Sequence, residues 1–596
     1  MMVDSVPVGR GLARLGDWIS EERALPGPPW PLNAVLLTIA TVAPVPLTAL
    51  ALEEVTPLFW LILVADLVLL FGLAVATFRT PALFIAVMLL WFALQRFVVA
   101  LIAPHVSADL VRLLLTYKEG FYLILVASGV VSVAMRQLRG ERALPALLAA
   151  DFVAVAFLGW LALVFISDPH SSSPELTYLR RFAAPVLLYV GGRLLIGRSE
   201  QLLDSVRMLV AVAVAVAAFG LVERFALDVV FWRDTVDAST FYGKQVESGL
   251  LPQNWTVIYR GVPDGIFIAL PLEVPVRRLV STYLEPTTLS SLLALALLLL
   301  VFVPDLAWRR AGPGPRFVIA AGVLALGIAV VATLSRGGMV TFVAATAFVL
   351  AVRWLRDPGW KLSVPLPFLL VPLLAFTCFG AALTTFDDVP ARESVRDVLS
   401  TRAVSGLAEG PAVSSTAPPP VDTGGALGEI DTHPPGSTAE AASKHLRGLT
   451  TGLEEMFESP LGRGLGASGN WSREPGAGAE STVGVIAAQT GIVGFVLYGG
   501  FFAAVIASLV AAAWRRSGLA ADLPVVLAGA MFGLFLVSWV SESASGLLGN
   551  AFYLLFAGWA LALASPAAET FRWRWLPDVK PLDPLDAPAS PTHTKV

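Results

Sequence analysis

Residues 289–303, LSSLLALALLLLVFV, contain no charge and no helix breaker, and runs of this kind recur from residue 32 to residue 565. A chain built this way cannot wrap one core in water. Hydrocarbon about 30 Å thick is crossed by about 20 apolar residues wound as a helix, because backbone N–H and C=O groups facing lipid have to be paired within their own segment. The composition agrees: 56% of the 596 residues are apolar, 14% are charged, and the mean hydropathy is +0.74, far outside the soluble range. The expected fold is all-α, a polytopic membrane protein with about 14 transmembrane helices, or about 12 if doubtful spans are dropped. The spans fall near 32–52, 57–78, 81–103, 110–134, 144–167, 179–196, 205–223, 284–304, 317–335, 338–356, 363–383, 481–513, 523–540 and 546–565. The sixth is short and glycine-interrupted, and the twelfth is long.

Sidedness follows from lysine and arginine in short loops, which favour the cytoplasm. With the N-terminus inside, the basic loops RQLRGER, GRSEQLLDSVR, DLAWRRAGPGPR, RWLRDPGWK and WRRSG all fall on the cytoplasmic side. The short outer loops are then LEEVT, PHVSAD, DPHSSSPE and SESASG. The chain divides into a cytoplasmic segment (1–30), N-terminal helices (31–223), an extracytoplasmic loop (224–283), central helices (284–383), a second long outer loop (384–480), C-terminal helices (481–565) and a cytoplasmic tail (566–596). The first 30 residues lack an apolar core and are read as a cytoplasmic surface segment, not a signal peptide. Residues 406–438 have the Pro, Gly, Ser and Thr content of a mobile segment. Beyond them, Ser437 with Glu440 and the spacing of Leu446, Leu449, Leu453 and Phe457 predict a helix lying over the membrane surface.

Ionisable residues inside spans cost several kcal/mol, roughly, unless they face protein or a water-filled cavity. Asp66, Arg96, Lys118 and Glu119 lie in the middle or outer parts of their spans and together point to a polar cavity opening outward. Singly, each also fits a plain role: Lys118 with Glu119 as a pair, Arg96 snorkelling to the interface. A second group sits at the outer surface: Arg180, Arg181, Arg277, Arg278, Arg336 in TLSRGGM, and Arg447 in KHLRG. Guanidinium groups bind phosphate oxygens in bidentate fashion and stay charged at any working pH. An arginine-lined cavity at a membrane therefore suits an anionic, lipid-linked substrate; pairing with lipid head groups is the plainer alternative.

Several chemistries are excluded by what is missing. There is one cysteine, Cys378, and His105, His170, His433 and His593 show no metal-ligand spacing. Neither a metal site nor a cofactor motif is found, and a net charge of -4 supports no nucleic-acid partner. Glycosyl transfer from a pyrophosphate-linked donor, which needs only positive charge and one base, remains open.

The order TLSRGGMVTFVAA, then LRGLTTGLEEMFESPLGRGLGAS, then ESTVGVIAAQTGIVGFVLYGG, preceded by RLVSTYLEPTTLSS, resembles the O-antigen ligase and Wzy polymerase superfamily over roughly residues 270 to 500. The resemblance implies a GT-C-like, metal-independent, inverting membrane glycosyltransferase without cofactor. Its donor would be an oligosaccharide on undecaprenyl pyrophosphate at the outer face of a bacterial inner membrane. Its acceptor would be a glycan or lipid, and its partners membrane lipids and a chain-length regulator or flippase. It further implies that Arg278, Arg336 and Arg447 hold the pyrophosphate or adjoining sugar, and Lys118 falls where these proteins often carry a lysine; Arg96 and Arg181, from the charges of the cavity and its mouth, are further candidate binding residues. In many family ligases a histidine opens the later span and acts as base. Here Glu480 and Ser481 stand in that place, so Glu480 is the base, or His445 or Glu285 reaches in. Glu480 equally fits a helix N-terminal position favoured by the dipole, and the glycines of SPLGRGLGASG a loop that allows close backbone approach. A polymerase is favoured over a ligase. A lipid-linked oligosaccharide flippase is the alternative from another class, although no half-to-half repeat is visible.

The loop assignment predicts that, in a Cys378→Ser background, cysteines at Ser172 and Ser543 react with an impermeant maleimide in right-side-out vesicles, and a cysteine at Ser517 reacts only after permeabilisation. The reverse pattern would invert the topology.

Overall fold

The computed structural model describes residues 30–76, 81–138, 145–167, 173–195, 199–227, 231–250, 275–303, 313–358, 438–469, 481–541 and 547–564, with short pieces at 258–259, 262–263, 267–269, 306 and 472. The described residues are helical almost throughout: α1 (Trp30–Val42), α2 (Pro44–Leu52), α3 (Pro57–Ala76), α4 (Pro81–Ile102), α5 (Ala108–Thr116), α6 (Lys118–Leu138), α7 (Ala149–Ser167), α8 (Ser173–Leu194), α9 (Ser199–Phe225), α10 (Ala238–Glu247), α11 (Pro286–Phe302), α12 (Pro313–Ala332), α13 (Arg336–Arg356), α14 (Thr438–Glu458), α15 (Thr482–Trp514), α16 (Leu519–Ser538) and α17 (Leu547–Ala564). Two short antiparallel hairpins, Ile258–Tyr259 with Val262–Pro263 and Phe267–Ala269 with Pro275–Arg277, lie in the first long connection. Helices occupy every expected span except 363–383, which lies outside the described residues, as do 406–437. Among the described residues nine helices are long and apolar enough to cross a membrane, accompanied by three shorter apolar ones. The protein is thus an all-α, multi-pass membrane protein.

The LSSLLALALLLLVFV run forms α11, whose residues are almost all buried. A helix apolar all round has no face for water and belongs in the middle of the bundle; α9, α12, α13, α16 and α17 pack around it. Where two helices contact most closely, glycine is at the seam. A Cβ at Gly192 would collide with the carbonyl of Leu555, and one at Gly558 with that of Tyr189, which brings α8 and α17 backbone to backbone. Gly529 and Gly533 do the same for α16 against Ala345 and Thr341 of α13. Lipid supplies no hydrophobic force between helices, so close packing of small residues replaces it.

Buried ion pairs lock the end opposite the long connections. Arg193 grips Asp151 through two nitrogens at 2.9 and 2.8 Å, and Tyr189 donates to the same carboxylate at 2.8 Å. Arg353 joins Asp522 at 2.9 Å. Within α8 the polar first turns are part of one 22-residue helix, and its glycines are packing sites, not interruptions.

The long twelfth span divides at Gly491, whose φ of 68° and ψ of -166° no L side chain tolerates readily. The break leaves backbone groups unpaired, and the segment 460–464 takes them: Arg463 N–H donates to Ala488 C=O at 3.0 Å, Gly464 N–H to Gln489 C=O at 3.1 Å, and Ile492 N–H to Pro460 C=O at 2.9 Å. Gln489 Nε2 reaches on to Ser468 C=O at 2.6 Å. The glycines of SPLGRGLGASG serve close backbone approach, as expected: Gly462 lies against Gln489, Gly466 against Pro174 and Glu175, and Gly469 against Tyr178.

Gly491→Ala should therefore destabilise by about 2 to 3 kcal/mol or more, because its Cβ would strike the Pro460 carbonyl. Gly499→Ala, with nothing within 4 Å, should be neutral. Thermal melts followed by size-exclusion chromatography in detergent distinguish the two, and equal melting points would refute the strained break.

Candidate functional site

Glu285 is held at the N-terminus of α11 by a turn, Ser281–Tyr283 and Leu284, that contains two non-glycine residues with positive φ, Ser281 at 48° and Leu284 at 49°. Such conformations cost on the order of 1 to 3 kcal/mol each and persist only when their surroundings over-determine them. Here the surroundings do. Ser281 N–H donates to Glu223 at 3.4 Å and its hydroxyl to Val216 C=O at 2.7 Å; Glu223, fully buried, also accepts from Trp232 Nε1 at 2.7 Å. Arg96 donates to Tyr283 C=O at 3.4 Å, and the Tyr242 hydroxyl to Leu284 C=O. Tyr242 belongs to α10, which is tied over the ends of α4 and α5 by Lys244 on Ala103 C=O at 2.6 Å and by Arg112 on Ser248 C=O at 3.3 Å.

Around this turn the bundle gathers positive charge. Arg96, from α4, meets the Glu285 carboxylate at 2.5 Å, and both side chains are about a quarter exposed. Thr287 donates to Glu285 at 3.0 Å. Lys118, the first residue of α6, senses Arg96, Glu119, Glu285 and Arg180, and Arg181 acts on Glu285. Arg278 donates through Nε to Thr333 C=O at 3.0 Å and lies within reach of Glu285, Tyr242 and Arg336. Lys118, Glu285 and Arg336 stand at the N-termini of α6, α11 and α13, each of which adds the positive end of a helix dipole. Cations outnumber the carboxylates Glu119 and Glu285, and Glu119 is already paired with Arg180 at 3.3 Å. Among the described residues neither Lys118 nor Arg336 has a hydrogen-bond or ion-pair partner.

Electrostatics follow the geometry. Burial would raise the Glu285 pKa, but Arg96, the Thr288 and Thr287 hydroxyls and Arg181 outweigh it and hold the carboxyl below the ordinary range. Burial pushes Arg278 down to about 10, against Glu285 and Tyr242 and with help from Arg336, so it remains charged near neutrality. Beside the cluster, α8, α15, α16 and α17 enclose an aromatic pocket lined by Arg181, Phe182, Tyr498, Phe501, Phe502 and Leu554.

The expected site residues divide into three groups. Arg96, Lys118, Arg181, Arg278, Arg336 and Glu285 lie together. Arg447 is exposed on α14, and among the described residues no hydrogen bond or ion pair joins its side chain to the cluster. Glu480 and the His445 side chain lie outside the described residues.

Some expectations change. Asp66 is buried and accepts from the Tyr117 hydroxyl at the irregular turn between α5 and α6. The carbonyls of Leu114 and Leu115 before that turn accept from Gln95 at 2.6 and 3.1 Å. The partner of Glu119 is Arg180, not Lys118. Arg336 is exposed at the first position of α13, and its neighbours have separate duties: Ser335 caps the Gly338 N–H at 3.4 Å, and Gly338 packs on Ser290 of α11. Glu223 and Tyr242 escaped the sequence reading because nothing local marks them; only contacts across more than forty positions reveal their roles. No protein-family model matches the chain, and no curated protein matches it.

The lowered Glu285 pKa carries a signed prediction. A depressed acid contributes stability above its unfolded pKa and loses it as the pH falls through the folded value. Arg96→Gln should thus lower the melting temperature more near pH 7 than near pH 4, the gap closing as Glu285 protonates. Equal losses at both pH values would mean that Arg96 does not hold Glu285 ionised.

Proposed function

We propose that the protein is a membrane glycosyltransferase acting on glycans linked to a polyprenyl pyrophosphate, of the Wzy polymerase type, with its site on the extracytoplasmic face of a bacterial inner membrane. On this reading the architecture is GT-C-like, both termini are cytoplasmic and the reaction inverts the anomeric carbon. The observation that carries it is the excess of positive charge around Glu285, including Lys118 and Arg336, which form no ion pair among the described residues. A pyrophosphate supplies the missing negative charge, and arginine forks suit its oxygens. The aromatic pocket beside Arg181 gives the first part of a prenyl chain an apolar seat.

The chemistry runs as a single displacement. The acceptor hydroxyl oxygen bonds to the anomeric carbon as the bond from that carbon to the pyrophosphate oxygen breaks, and the electron pair leaves on the phosphate. Arg278, Arg336 and Lys118 meet charge that grows along this path, so they favour the transition state over the bound donor. Glu285 orients the hydroxyl and receives its proton. Free Glu285 is a weak base because Arg96 holds it; a pyrophosphate that draws Arg96 toward itself raises the proton affinity of Glu285 when the donor binds.

Purified protein in detergent, where transport has no meaning, is incubated with a polyprenyl-pyrophosphate-linked repeat unit. A ladder of lengthening products is expected, and Arg336→Ala should lower kcat by about 10²- to 10³-fold. Transfer of a single unit to another acceptor would make the protein a ligase. No product with a competent donor, or retention at the anomeric carbon, would overturn the reading or its single-displacement scheme respectively.

A further inference from the structure

The break in α15 also marks a level in the membrane. Before it, Thr482 to Gly491 are buried without exception; after it, Ile492, Val493 and Val496 are exposed along one side. From Ile492 to Trp514, at about 1.5 Å per residue, the helix covers about 35 Å, enough by itself for the hydrocarbon. The edge of the lipid therefore lies near Gly491. The segment that seals the break is held at the same level, since Pro460 accepts from Ile492 N–H.

α14 leads into that segment and has three sides. Gly448, Gly452 and Met456 face the protein, with both glycines against Gly484 of α15. Arg447, Thr451, Glu454 and Glu458 form an exposed polar flank. The remaining flank is apolar: at about 100° per residue Leu446, Leu449, Leu453 and Phe457 share one sector. Leu449 and Leu453 are half-buried, whereas Leu446, Phe457 and the following Leu461 are 58%, 71% and 71% exposed. The sequence pattern places the whole apolar stripe against one surface; the structure gives the protein side to glycines and leaves the bulkiest apolar residues outside.

We infer that α14 is seated in the membrane interface, with Phe457 and Leu461 inserted among the lipids of the leaflet beside the cation cluster and the Arg447–Glu458 flank turned to water. The occupant is lipid because this surface runs on, through the Pro460–Ile492 hydrogen bond, into Val493 and Val496 of a membrane-crossing helix. The partition of one helix into protein, apolar and polar flanks is that of an interfacial helix. Arg447 then lies at the depth of lipid phosphates. The inference depends on the membrane fold, not on the reaction proposed above.

The test uses full-length Cys378→Ser protein with single cysteines Phe457→Cys, Leu461→Cys and Glu454→Cys, labelled with bimane. Each is reconstituted in phosphatidylethanolamine and phosphatidylglycerol vesicles with or without lipids bearing a doxyl group near the top of the acyl chain. Labels at 457 and 461 should be quenched at least twofold more by doxyl lipid than the label at 454, and that label should be quenched more by iodide. Equal iodide quenching at all three positions would overturn the inference. So would protection of 457 and 461 from both quenchers, as a second copy or another part of the chain would produce. Both substituted side chains are mostly exposed, so neither change empties a packed core, and Leu446→Cys repeats the test on the same stripe.

Discussion

Hydrocarbon tolerates no unpaired backbone polar group, and the irregular parts of this bundle are built around that constraint. At the turn between α5 and α6 the side chain of Gln95 takes two carbonyls. At Gly491 a distant loop gives and receives the hydrogen bonds that the helix has lost. At the Ser281–Leu284 turn, Glu223, Tyr242 and Arg96 meet the backbone between them. Each departure from regular helix is held by a partner remote in sequence, and two of the three adjoin the cation cluster.

The cluster obeys a related rule for charge. An isolated ion in a low-dielectric place is expensive, and a paired one much less so. At the far end of the bundle that rule gives closed pairs, Arg193 with Asp151 and Arg353 with Asp522. At the cluster it is followed only in part: Arg96 has Glu285 and Arg180 has Glu119, while Lys118 and Arg336 have no such partner.

The helices were largely legible in the sequence because a membrane span is a one-dimensional signal: length and hydropathy state it without reference to neighbours. The charged residues inside spans were legible for the same reason, since each stands out against an apolar background. The geometry at Asp66 was not. Its oddity was visible, but the pairing with Tyr117 depends on two helices meeting at one depth. Glu119 similarly passed over its sequence neighbour Lys118 for Arg180, because adjacent helical positions point about 100° apart while α8 lies alongside.

By itself the sequence determined that this chain crosses a membrane many times, that Arg336 in TLSRGGM is an exception requiring a reason, and that the glycines of SPLGRGLGASG permit close approach. Hydropathy and residue chemistry are local properties, and they can be read one residue at a time. Only the tertiary structure decided that Glu285 is held by Arg96 on a strained turn, that Gly491 is where α15 breaks, and that α14 presents glycine, not leucine, to its neighbour. These are contacts between segments far apart in the chain. Their energies depend on distance and burial, which no order of residues records.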